Sequence, residues 1–95
     1  MSLELEPMNL LCLVQSVAEV SALEGELAKA ALLVGFVDHG LGLYSGGRQI
    51  TEQRQLNRIL DRIAEGGMGG EKLERLRSQG VAMSPFEAHR LAGMA

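Results

Sequence analysis

The sequence predicts an all-α protein: one long N-terminal amphipathic helix plus three shorter helices, packed as a small helical bundle that is dimeric. Three observations carry this. From Leu10 onward, apolar residues return at every third and fourth position, the period of a helix. No stretch alternates apolar and polar residues as a half-buried strand does. Many of the 12 glycines gather in clusters that cut the chain into segments.

The 95 residues make one domain, read as a flexible N-terminus over 1–8, a long helix over 9–38 and a short-helix bundle over 51–95. Pro7 favours an extended lead-in and Asn9 is the expected N-cap. One heptad column then reads Leu13, Val20, Leu27, Val34; the column three residues earlier reads Leu10, Val17, Glu24, Ala31. A third column, Val14, Ser21, Ala28, Gly35, is small enough to admit a close neighbour. Gln15, Glu19, Glu26 and Lys29 give the first turns a polar face, which vanishes after Lys29. The helix should end near Val37 or Asp38, with Gly40 as the residue after its cap and Gly40, Gly42, Gly46 and Gly47 forming a loop.

Thr51 is the expected N-cap of the second helix, whose Leu56, Ile59, Leu60 and Ile63 share one side. The run Gly66-Gly67-Met68-Gly69-Gly70 ends it. A third helix, Glu71 to Gln79, should bury Leu73 and Leu76 and be capped by Gly80. Ser84-Pro85-Phe86-Glu87 has the pattern of a capping box with proline at the first helical position, opening a fourth helix docked through Phe86 and Leu91.

Ala30 to Val37 is apolar on every side. Eight residues fall well short of the roughly 20 that a membrane span needs, and Lys29 and Asp38 bound the run, so no span is expected. A helix without a polar face must be covered all round. Residues 10–37 as one helix would extend about 42 Å at 1.5 Å per residue, longer than a compact chain of this size is wide. Two outcomes follow. Either the helix protrudes and buries Leu10, Leu13, Val17, Val20, Leu27, Ala31 and Val34 against a second copy or another protein, or the chain folds back at Glu24-Gly25-Glu26. The dimer is the principal expectation, because the heptad is self-complementary.

Chemistry finds little footing. The single cysteine, Cys12, lies in an apolar run, can form no intramolecular disulfide and reads as a packing residue. Asp38-His39 is the one adjacent acid–imidazole pair; a dyad or metal site would need Asp38, His39 and His89 to converge. His39 reads instead as a partner of the helix dipole and His89 as a packing or surface residue. The glycine run before Lys72 lacks the spacing and preceding strand of a phosphate loop. No cofactor, no metal and no catalytic activity are therefore expected.

The net charge of −3 argues against a dedicated nucleic-acid binder. Arg54, Arg58 and Arg62, spaced by four, form a stripe on the second helix that could meet an acidic partner. They also carry the alternative reading, a small nucleic-acid-associated regulator. A helix-turn-helix over 52–79 fails, because five residues with four glycines are too loose for its turn. The sequence reads as a non-enzymatic protein–protein interaction module: an adaptor, assembly subunit or small chaperone-like protein. With no signal peptide in view, the cytoplasm is the expected location.

Overall fold

The computed structural model describes residues 7–44, 48 and 50–93. They form five helices, α1 (Pro7–Leu23), α2 (Leu27–Tyr44), α3 (Ile50–Glu65), α4 (Gly70–Val81) and α5 (Pro85–Leu91), with no strand among the described residues. The all-helical class stands. The single long helix does not: the chain turns back at Glu24-Gly25-Glu26, and α1 and α2 form a hairpin.

The turn is a glycine cap. Gly25 sits at φ +85°, where a side chain would be strained. The amide of Glu26 donates to the carbonyl of Ser21 at 2.9 Å, and that of Gly25 to Ala22 at 3.2 Å. These are the two reversed bonds of a Schellman motif, which satisfy carbonyls left open at the end of α1. The heptad runs through this point in sequence, but the backbone does not.

Folding back lets the short helices cover the apolar run. α2 lies at the centre, antiparallel to α1 on one side and to α4 on another. Ala30, Ala31, Leu33, Val34, Val37 and Leu41 are fully or almost fully buried, together with Phe36. α1 contributes Leu11, Val14, Ala18 and Ala22; α3 contributes Leu56, Ile59 and Ile63; α5 contributes Ala88. Phe86, expected to dock α5, is 68% exposed, and Ala88 does that work with the half-buried Leu91. The capping box is present: Ser84 Oγ accepts from the Glu87 amide at 3.1 Å, and Glu87 Oε1 from the Ser84 amide at 3.2 Å.

Several boundaries shift. α1 already includes Pro7 and Asn9, so Asn9 is not its N-cap, and α3 already includes Thr51. α2 continues to Tyr44, through Gly40 and Gly42; Gly46 and Gly47 lie outside the described residues, as do residues 1–6 of the expected flexible N-terminus. Gly40 is buried inside the helix, facing the side chain of Leu11. Of the small column, Val14, Ser21 and Gly35 are buried as expected, whereas Ala28 is exposed.

Gly80 is not a cap. It lies within α4, buried against α2, and a Cβ there would overlap the Leu32 carbonyl and come within 3.1 Å of the Gly35 Cα. A Cβ on Gly35 would in turn overlap the Arg77 carbonyl. The two glycines let the backbones of α2 and α4 touch. A methyl at either point meets backbone, which cannot rotate aside. Gly35→Ala and Gly80→Ala should each cost at least about 2 kcal/mol in urea unfolding. Gly42→Ala, in the same helix but facing open space, should be neutral or stabilise by up to about 1 kcal/mol.

Candidate protein-interaction face

With Ala30 to Val37 of α2 covered, the exposed large apolar side chains described on the hairpin are Leu43, 66% exposed near the end of α2, and a row on α1. Leu13 is 44% exposed, Val20 52% and Leu23 56%. Leu13 and Val20 are seven residues apart and Leu23 is one turn further on, so the three share a side of the helix. Leu10 and Val17 border them, half-buried. The seven residues expected to form one interface therefore divide. Leu10, Leu13, Val17 and Val20 reach the surface. Ala31 and Val34 are fully buried inside the protomer, and Leu27 packs half-buried on the core beside Gly66.

α3 lies next to α1 and runs parallel to it, because the cross-helix pairs advance together. Gln15 Nε2 donates to Gln55 Oε1 at 2.8 Å and to the Glu52 carbonyl at 3.0 Å; four residues on, Glu19 accepts from Arg58 Nε at 2.8 Å and from Gln55 Nε2 at 3.2 Å. Between the helices lies a recess of about 590 Å³ lined by Cys12 and Ser16 of α1 and by Thr51, Glu52, Arg54, Gln55 and Arg58 of α3. Cys12 is half-buried in its wall rather than enclosed in the core. Arg54 also lines a second recess, of about 300 Å³, with Arg48, Ile50 and Gln53.

The arginine stripe forms the outer edge of this face. Arg58 binds Glu19, and Arg62 lies 3.7 Å from Glu65, yet their side chains remain 61% and 55% exposed. Arg54 is exposed with no ion-pair partner among the described residues. The hydrogen bond from Arg58 holds the Glu19 carboxyl below its ordinary range, with Gln55 and the charge of Arg62 acting the same way and partial burial opposing them.

The pairing at Glu19 is one end of a polar chain that crosses the molecule. Gln15, buried to 1% exposure, also accepts from Arg48 Nε at 2.7 Å. Arg48 Nη1 donates to Asp38, whose other oxygen accepts from Arg77 Nη2 at 2.8 Å and Nε at 3.1 Å. The chain thus links α4, α2, the segment before α3, α1 and α3. It also settles Asp38: two guanidiniums engage its carboxylate, and His39 is not its partner. His39 is exposed within α2 rather than at its end, beside an apolar recess that includes Phe36 and Leu43. His89 stands edge-on to Phe36, ring centroids 6.5 Å apart, with Nε2 buried and unpartnered among the described residues. No group of three or more His, Cys, Asp or Glu side chains comes together to hold a metal ion among the described residues. Among them, no helix is long and apolar enough to cross a membrane.

Compared with protein-family models, with curated proteins and with solved structures, the chain matches none.

Two outcomes follow from the polar chain. Because the folded carboxyl of Glu19 is shifted down, its stabilisation is complete above the ordinary carboxylate range and is lost as pH falls through it. Thermal melts from pH 6 down to pH 3 should show a smaller acid loss for Glu19→Gln than for the parent chain. Asp38→Ala leaves Arg48, 8% exposed, without its counter-charge and should cost about 3 kcal/mol. Adding Arg48→Met should restore part of that loss in denaturant titrations.

Proposed function

We propose that this protein is a non-enzymatic protein–protein interaction module, an adaptor, assembly subunit or small chaperone-like protein, that receives a helix on the exposed face of α1. The observation that carries this reading is the row Leu13, Val20 and Leu23. These residues stay about half exposed at helical spacing, while the far more apolar stretch of α2 from Ala30 to Val37 is buried apart from the half-buried Leu32. Apolar residues at helical spacing on a rigid, packed helix present the anchors by which one helix takes up another.

A second copy is one source of that helix, and the heptad positions Leu10, Leu13, Val17 and Val20 suit it. The hairpin narrows the ground for an obligate dimer. Three half-exposed aliphatic side chains supply only part of the roughly 800 Å² per partner of a standard interface. Nucleic acid is the weaker reading of the arginine stripe, since Arg58 and Arg62 already face carboxylates of the same chain and would release fewer counterions from phosphate.

The test is Val20→Asp. Val20 is exposed, so the substitution should change stability by less than about 0.5 kcal/mol. It should abolish whatever association the parent chain shows, read as solution mass by light scattering and as binding of a labelled, uncharged Leu/Gln amphipathic peptide. A parent chain that stays monomeric and binds no such peptide, or whose association ignores Val20→Asp, overturns the reading.

A further inference from the structure

We propose that the helix received on this face is an acidic amphipathic one from another protein, laid along the groove between α1 and α3. This rests on the interaction reading above and adds the partner's chemistry. The two walls of the groove differ in kind. On the α1 side, Cys12 and Ser16 line the recess, Leu13, Val20 and Leu23 form an exposed apolar row on the same helix, and the charged Glu19 is taken up by Arg58. The α3 side presents Arg54 and Arg58, with Arg62 one turn further along the helix and Glu52 as the one carboxylate lining the recess.

Because α1 and α3 run parallel, the two rows keep pace. Ser16 is level with Gln55 and Glu19 with Arg58, and Arg62 follows Arg58 by one helical turn. A helix seated between them meets aliphatic side chains along one flank and guanidiniums along the other for about two turns. The occupant that satisfies both flanks carries Leu or Val at i, i+3, i+4 and i+7, with Glu or Asp one position round toward α3. Arg54 is the sharpest selector. It is exposed, lacks an acid partner among the described residues and forms the wall common to two recesses, one of them floored by Cys12 and Ser16. Arg58 and Arg62 are half-neutralised by Glu19 and Glu65, but their exposed guanidiniums retain donors for a second carboxylate. A basic helix would meet like charge at Arg54, Arg58 and Arg62, against the single carboxylate of Glu52 in the recess lining.

The experiment titrates the full chain into three labelled peptides of identical Leu pattern whose flanking positions are Glu, Gln or Lys, read by fluorescence anisotropy at low and high salt. The Glu peptide should bind at least tenfold more tightly than the Lys peptide, and the difference should shrink severalfold in high salt. Arg54→Glu, at an exposed position, should lower the ratio of Glu-peptide to Lys-peptide affinity at least tenfold. Bound Glu peptide should slow alkylation of Cys12, which places the ligand over the recess. Equal binding of all three peptides, still abolished by Val20→Asp, overturns the acidic-helix inference and leaves the interaction reading standing. Binding of none overturns both. Displacement of the Glu peptide by a single-stranded oligonucleotide that loses affinity with Arg54→Glu assigns the groove to nucleic acid and overturns the inference. A Val20→Asp-sensitive dimer that excludes the Glu peptide assigns it to a second copy and overturns it equally.

Discussion

Between Ala30 and Val37, α2 has no polar side to show to water, and the arrangement of the other four helices follows from that. From Ala30 to Val37 every direction around its axis is apolar, so a single packed neighbour could not suffice. α1 covers one side because the chain turns back on itself. α4 covers another by backbone contact at Gly35 and Gly80, which removes the gap that ordinary side chains would leave. α3 and α5 close the remainder through Ile59, Ile63 and Ala88. Among the described residues, Phe36 is the one aromatic residue buried in the aliphatic core, so cohesion depends on close approach rather than on the size of individual side chains.

A second constraint is electrostatic. The run of carboxylates, amides and guanidiniums from Arg77 to Arg58 ties together the helices that the core leaves adjacent. Buried Gln15 is its central member, and each of its amide atoms finds a partner, so burial leaves no polar atom of that side chain unpaired. The chain fixes how far α1 and α3 can slide past one another. Register between those two helices in turn sets which aliphatic residue stands opposite which arginine on the outer face.

The sequence discloses class and punctuation well. The amphipathic side of α3, the glycine run that ends it and the capping box at Ser84 are all local patterns, and each lies where local chemistry puts it. The hairpin was legible only as an alternative, because a heptad that persists through Gly25 competes with the turn that Gly25 makes. The signals favouring the turn were there: Glu24 interrupts the apolar seam, and the glycine is flanked by two acids. The end of α2 was misplaced because Gly40 and Gly42 look like terminators in isolation, yet Gly40 is held in the helix by packing against Leu11. Gly80 was misread for the same reason. What a glycine does there depends on another helix some 45 positions earlier, and no local window contains both. The ties of Asp38 to Arg48 and Arg77 were likewise invisible, since Arg77 is far off in sequence and His39 is next door. On the outer face, the apolar positions on α1 and the stripe on α3 were each readable alone. Their alignment as two walls of one groove was not, because it depends on the parallel packing of helices joined through a third.

The turn at Glu24-Gly25-Glu26 also makes the apolar contacts of α2 with α1 intramolecular. The heptad continues across it, so a straightened turn would draw residues 7–44 out as one rod and deliver α2 into the bundle of a neighbouring molecule, which would return its own. Such an exchange keeps the same apolar pairs and alters only which chain supplies them. Three residues, one of them in a backbone conformation that only glycine adopts without strain, therefore hold α1 and α2 together within one chain.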